Sequence, residues 1–331
     1  MRKSLFLLTF ILIGCLLFVA ACSSDQGAVV PAATDENAAE EGSPESDGAV
    51  TVTDQMGREV FLAGPVQRIV SLSPSNTEVT FALGLSDRLV GVTEYCNYPP
   101  EAQDKELIGG FATPSIEKIV ELEPDLVLAS TIHAEEVPRL EALGIAVLVV
   151  ESSTLIDLYT SISLVAQVTG VIPAGEALIA SMQERINAVE VVVSVVPIDK
   201  RIRVFYEVYS DPLMSAGKGA FINEIISLAG GVNIFGDVAE NYPKISAEVV
   251  AERQPEIILF PNLHGTADFV LEAMTGRPGW ERVPAVINGR VFAVSDDSFA
   301  RQGPRVVEAV EEAARLFYPE LFSAYECACC S

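Results

Sequence analysis

One spacing governs how this chain can fold. Phe111-x-x-x-Ser115-x-Glu117 is followed by Pro124-Asp125, an apolar run and His133. Tyr242-x-x-x-Ser246-x-Glu248 is followed by Pro255-Glu256, an apolar run and His264. From 111 to 242, from 117 to 248 and from 133 to 264, the displacement is 131 residues each time. A register kept over an aromatic, a serine, an acid, a proline and a histidine marks an internal repeat. The chain therefore reads as two related lobes. Each presents an aromatic, a helix-start glutamate and a post-strand histidine at equivalent places.

Short β-branched runs alternate with helical stretches. Arg68–Leu72, Asp125–Ala129 and Ile145–Val150 read as strands in the first half, and Val204–Tyr206, Ile257–Phe260 and Val291–Val294 in the second. Ser73-Pro74-Ser75-Asn76-Thr77-Glu78 has the turn residues, cap and early acid of a helix start. Such alternation predicts an α/β fold of two lobes, each a mostly parallel sheet flanked by helices. Ligands of parallel sheets sit beyond the strand C-termini. That places His133 and His264 toward the gap between lobes, with Phe111 and Tyr242 lining it.

Leu155 to about Val196 lacks strand-bounded turns, its main break being Val171-Ile172-Pro173-Ala174-Gly175. Between Ala174 and Val192, Ala177, Leu178, Met182, Ile186 and Val189 recur at helical spacing. The expectation is one long helix joining the lobes. A helical connector resists bending and favours small lobe movements over a wide hinge closure. The expected divisions are an N-terminal lobe over 51–160, a linker over 161–198 and a C-terminal lobe over 199–325.

The N-terminus reads as an export signal over 1–21. Basic Arg2 and Lys3 precede an apolar run from Leu5 to Ala21, and Val19-Ala20-Ala21-Cys22 follows the pattern of a lipobox. Cys22 supplies the thiol that takes a lipid, so the chain is expected outside the cytoplasm, anchored to the cell membrane. Residues 22–50 read as a lipidated cysteine followed by a disordered acidic tether. Seven acids with no base or aromatic cannot form a packed core. The formal charge is −25, and about −20 remains on the body once signal and tether are set aside. A body this acidic disfavours nucleic acid as a partner. Cys96 stands alone, and Cys327, Cys329 and Cys330 crowd a tail over 326–331. These are too few for a disulfide framework, and the tail reads as disordered or crosslinking.

Glu117 and Glu248 each follow a serine by two residues. Capping chemistry explains one such acid; two in register suit docking onto the arginines of a two-fold symmetric membrane partner. Tyr98, Phe111, Tyr209, Tyr242 and Phe299 are loop aromatics suited to walling a large planar or macrocyclic ligand. Arg301 follows the last strand and suits an anionic or amide edge of that ligand. His133 and His264 are the only histidines. They are either satisfied polar residues or contacts to a metal centre carried by the ligand. No Gly-x-Ser-x-Gly, His-Glu-x-x-His or phosphate-loop motif occurs, so no enzyme is expected and no catalytic residue or resident metal is assigned.

Tyr98-Pro99-Pro100-Glu101-Ala102, Gly109-Gly110-Phe111, Ser115–Val120, Glu123–Val127, Ala216-Gly217-Lys218, Ala229–Phe235 and Ser246-Ala247-Glu248 span nearly the whole body. Through them the chain resembles the helical-linker class of ABC-transporter solute-binding proteins, which includes vitamin B12-binding and ferric siderophore-binding proteins. The resemblance implies two lobes with ligand between them, and Glu117 and Glu248 contacting arginines of a permease dimer. The Tyr-Pro-Pro and Gly-Gly-aromatic segments look most like the vitamin B12-binding branch. This implies that Tyr98, Phe111 and Tyr242 sandwich a corrinoid, with Phe299 and Arg301 beside it. The only tryptophan, Trp280, lies outside these motifs. No resident cofactor is implied; the cargo is a corrinoid carrying cobalt or an iron chelate, and the binder acts as a monomer. A haem or siderophore cargo is the rival within the class, and a surface lipoprotein with an enzymatic or structural role the rival outside it.

Overall fold

The computed structural model describes residues 48–264 and 272–323. Cys22, the tether through residue 47 and the cysteine-rich tail lie outside the described residues; Val50, counted in the expected tether, is already the first residue of β1. An antiparallel hairpin, β1 (Val50–Thr53) and β2 (Glu59–Leu62), opens the body. The first sheet then comprises β3 (Ile69–Ser71), β4 (Leu89–Val92), β5 (Glu106–Leu107), β8 (Leu126–Ala129) and β9 (Ala146–Val149). Its order is β5-β4-β3-β8-β9, and every pairing is parallel. Helices α1 (Pro74–Ala82), α2 (Ile116–Glu121) and α3 (Val137–Glu141) connect these strands. A small hairpin, β6 (Gly109–Gly110) with β7 (Thr113–Pro114), leads into α2.

The second sheet has β10 (Arg203–Ser210), β11 (Leu213–Ser215), β12 (Val232–Asn233), β13 (Ile257–Pro261) and β14 (Val291–Val294). β12, β13 and β14 join in parallel, and only β11 is antiparallel. Its helices are α6 (Phe221–Leu228), α7 (Ala247–Arg253), α8 (Pro284–Ile287), α9 (Asp296–Ala300) and α10 (Val306–Phe317). The strands expected from the sequence all appear, within a few residues at their ends.

The repeat is structural in detail. Ser115 and Ser246 cap α2 and α7, accepting the amides of Lys118 and Val249 at 3.3 and 3.4 Å. Each helix stops at a left-handed residue, Glu123 (φ 44°) and Gln254 (φ 45°). The acid after the proline then ties down the edge of the sheet. Asp125 accepts the amides of Gln67 and Arg68 at 2.7 and 2.8 Å. Glu256 accepts the amide of Arg203 at 3.0 Å. The Arg68 and Arg203 guanidinium groups in turn cap the carbonyls of Leu122 and Arg253. Pro-Asp and Pro-Glu are thus the same anchor in both lobes.

Strand alternation decides where the core lies. Leu126 and Leu128 of β8, with Ile257 and Leu259 of β13, face one apolar cluster common to both lobes. Val127 and Ala129 face a cluster private to the first lobe, and Ile258 and Phe260 one private to the second. The common cluster is threaded by α4 (Leu155–Val168) and α5 (Ile172–Val193). The single connector expected from the sequence is therefore a pair. Helix α4 starts at a Thr154–Asp157 capping box, and the chain turns at Gly170 (φ 73°). Helix α5 then restarts with Pro173 in its first turn. At 1.5 Å per residue, its 22 residues span about 33 Å. Gly175 lets α5 pass close to α4, since a Cβ there would lie 2.6 Å from that of Ala166.

Met182, Ile186 and Val189 bury the inner face of α5. Because this core belongs to both lobes, the lobes should melt together. Ile186→Ala is expected to cost about 2–5 kcal/mol in urea denaturation. Far-ultraviolet circular dichroism of the whole chain and fluorescence of Trp280, buried in the second lobe's own cluster, should shift together. Two separate transitions would show the lobes to be independent.

Candidate functional site

A cleft of about 230 Å³ lies between the lobes. It is bounded by segments that each leave the C-terminal end of a strand: Ser73–Asn76 after β3, Ser130 after β8, Val150–Ser152 after β9 and Ala300–Gln302 after β14. Phe111 completes the wall. Parallel strands with crossover helices put all of these loops on one edge, where the sequence places the ligand. Glu151 is held there by the amide and hydroxyl of Thr131, at 3.0 and 2.9 Å.

Phe111 and Arg301 both line this cleft. His133 is not among the residues lining the cleft. It is buried, its Nε2 donates to the Phe111 carbonyl at 2.7 Å, and its Nδ1 accepts the Ser130 amide at 3.1 Å. Both ring nitrogens are used, and no lone pair is left for a metal. His133 instead sets the Phe111 loop, its ring packed edge-on against the phenyl at 5.4 Å. The backbone of His264 ends the matching turn, Asn262–His264; its side chain lies outside the described structure. Phe299 is fully buried and stacks on Tyr206 at 6.0 Å, behind the cleft rather than on its wall. Burial of an aromatic outweighs its place in a loop-like sequence.

Tyr98, Tyr209 and Tyr242 are exposed, at 40%, 51% and 39%. Tyr242 precedes α7 in a loop pinned by Gly217, whose amide donates to Asn241 at 2.8 Å. A Cβ at Gly217 would fall 1.8 Å from the Glu240 carbonyl oxygen, so only glycine admits this loop. Tyr98 lies in a neighbouring hollow of about 330 Å³, its ring 4.0 Å from the Arg305 guanidinium.

That hollow exposes what the sequence did not show. Glu78 of α1 is buried and takes a bidentate pair from Arg305, at 3.0 Å to Nε and 2.5 Å to the terminal nitrogen. Arg301 lies 3.7 Å from the same carboxylate and 2.7 Å from Asp297, and donates to Asn97 at 2.5 Å. Glu78 and Asn97 belong to one lobe; Asp297, Arg301 and Arg305 belong to the other. The available signal was an acid inside an otherwise buried helix face, Asn76–Thr80.

Glu117 and Glu248 stand exposed at the starts of α2 and α7. Helix amides and Ser115 hold the Glu117 carboxyl below the ordinary glutamate range, and Ser246 with helix amides does so for Glu248. Burial holds Glu78 above it, against the pull of Arg305. The signs follow by linkage. Stability from Glu117 and Glu248 is present above the ordinary value of 4.5 and is lost as pH falls through their own lowered values. That from Glu78 is present below 4.5 and is lost as pH rises through its raised value. Carboxyl NMR titration should therefore place Glu78 above 4.5 and both surface glutamates below it. The reverse order would contradict the burial of Glu78.

The periplasmic binding protein family model matches residues 69–297, from the first strand of the first sheet to the arginine network. The chain belongs to the periplasmic binding protein family. It is 33% identical over 280 residues to an uncharacterized ABC transporter substrate-binding lipoprotein, YvrC, of Bacillus subtilis, covering 82% of this chain and 87% of that one. The crystal structure of the periplasmic vitamin B12-binding protein BtuF of Vibrio cholerae aligns with a TM-score of 0.65 and 31% identity, covering 76% of this chain and 97% of that one. A periplasmic haem-binding protein, BhuT, in complex with two haems aligns with a TM-score of 0.69 and 25% identity, over 78% and 100%. The fold expected from the sequence is that of these proteins. The chain is an extracytoplasmic solute-binding protein of the ABC-transporter type.

Proposed function

We propose that this binding protein captures a corrinoid in the cleft between its lobes and hands it to an ABC permease. The observation that carries this reading is the cleft itself: two repeated lobes present Phe111 and a single cationic side chain, Arg301, among the residues lining it. Arg301 is already balanced by Asp297. An anionic siderophore wants several unpaired bases, whereas a neutral planar macrocycle wants flat apolar walls. The likeness to vitamin B12-binding proteins supports the same choice. Tyr98, Tyr209 and Tyr242 are the exposed aromatics available to such a ligand. Haem or a ferric siderophore is the second reading, favoured by the likeness to the haem binder. His133 has no nitrogen free to ligate the metal of either cargo.

Cyanocobalamin, cobinamide, haemin and a ferric siderophore titrated into the purified protein should separate these readings. Binding of cyanocobalamin or cobinamide at micromolar concentration or below is expected, seen as a shift in the corrin absorption bands. Silence with both, beside a response to haemin or the siderophore, would move the assignment to the second reading. Turnover of a bound compound would support an enzyme instead.

Delivery is assigned to Glu117 and Glu248. Both are exposed, ionised and carried at matched helix starts on the cleft side of the two lobes, as a two-fold permease requires. Reversing either charge (Glu117→Arg or Glu248→Arg) should cut uptake by at least about ten-fold, the scale of a lost charge-assisted pair, and leave solute affinity unchanged. A collapse of affinity would place the carboxylates in the pocket instead. The lipid on Cys22, the acidic tether and action as a monomer complete the proposal: the tether keeps the receptor within reach of its permease, as the naming of YvrC as a lipoprotein supports.

A further inference from the structure

The enclosed part of the cleft is smaller than the cargo just proposed. Pockets for drug-sized ligands run from roughly 300 to 1,000 Å³, and a corrin or porphyrin with its substituents is larger than most such ligands. The resting cleft holds about 230 Å³. A macrocycle must either stand partly outside this enclosed volume or widen it by parting the lobes.

What opposes parting lies in the neighbouring hollow. Helix α1 supplies Ser73–Asn76 to the cleft, and one turn further on it supplies Glu78. Glu78 is gripped by Arg305 and approached by Arg301, both from the opposite lobe. Asn97 donates to Asp297 at 3.3 Å while accepting from Arg301, which closes a second link across the gap. Tyr98 lies against the Arg305 guanidinium on the same side. Gly303, between the two arginines, packs so closely that a Cβ there would lie 3.0 Å from a Glu78 carboxylate oxygen. Two acids and two arginines balance one another. Parting the lobes would exchange a bidentate, charge-assisted pair and its neighbours for contacts with water.

We infer that Glu78, Asn97 and Asp297 are positioning residues that clamp Arg301 and Arg305 across the lobe gap, fix the resting width of the cleft and so decide which solutes enter it. The inference about macrocycles rests on the reading of the cleft as a corrinoid or haem site; the clamp itself does not. A solute of the resting cleft's size enters with the clamp closed. A planar macrocycle seats fully only in the opened form, so the apparent affinity of that mode is reduced by the fraction of protein that is open. Minor conformations commonly populate roughly 0.1–10%, and weakening the clamp should tighten macrocycle binding about ten-fold or more.

The test uses the full chain, purified in detergent, with distance labels attached by non-cysteine chemistry at exposed Glu135 in the first lobe and Glu240 in the second. Glu78→Gln removes the buried charge at constant shape. Asp297→Asn weakens the same clamp at a more accessible position, its side chain 31% exposed, and serves if the first variant fails to fold. Without ligand, the parent should give one narrow distance and the variants a longer or broader distribution. Identical distributions in folded variants would overturn the clamp. With cyanocobalamin and haemin, the variants should bind about ten-fold more tightly, mainly through faster association. Wider lobes with unchanged or weaker binding would overturn the role in selecting solutes. Failure of parent and variants alike to bind either macrocycle would overturn the corrinoid and haem readings and this selective role, while the distances still decide the clamp.

Discussion

Two sheets lean on one apolar cluster. Every other residue of β8 and β13 points into it, and helices α4 and α5 run through it. The remaining features hang from this arrangement. A parallel sheet must be covered on both faces, so each lobe places its alternate strand residues in a private cluster under its own helices. The shared face ties the two lobes together beyond their private clusters, and their C-terminal strand edges are held side by side. A cleft between those edges is the consequence.

The hollow beside that cleft is polar where the core beneath it is not. Helix α1 shows the transition within one turn. Its N-terminal residues line the cleft, its middle residue Glu78 meets arginines from the other lobe, and Val79 joins the common core. The rigidity of the apolar contact and the reversibility of the ionic one suit different tasks. A shared core joins the lobes through apolar contact, and a cross-lobe ion network joins them through charge.

How far the site was legible depended on the kind of interaction. Ser115 and Ser246, Pro124 and Pro255, and Asp125 and Glu256 act on backbone a few residues away, or at the adjoining strand edge, so their spacing carries their meaning. The placement of strand-end loops was legible because crossover topology puts them on one edge. The surroundings of His133 and Phe299 are not legible in the sequence for one reason. Their sequence neighbourhoods are loop-like, yet each is buried, one holding Phe111 and the other stacked on Tyr206. Burial depends on what arrives from elsewhere in the chain.

The sequence by itself determined the repeat, the α/β class, the helical connection and the two exposed glutamates, because periodicity, capping and turn chemistry are local. Only the tertiary structure decided that the connector is two helices bent at Gly170, that His133 spends both nitrogens on its own lobe, and that Glu78 faces Arg301 and Arg305. Those partners lie more than two hundred residues apart in the chain. No local pattern encodes such a meeting; the charges are brought together only when both lobes close on their common core.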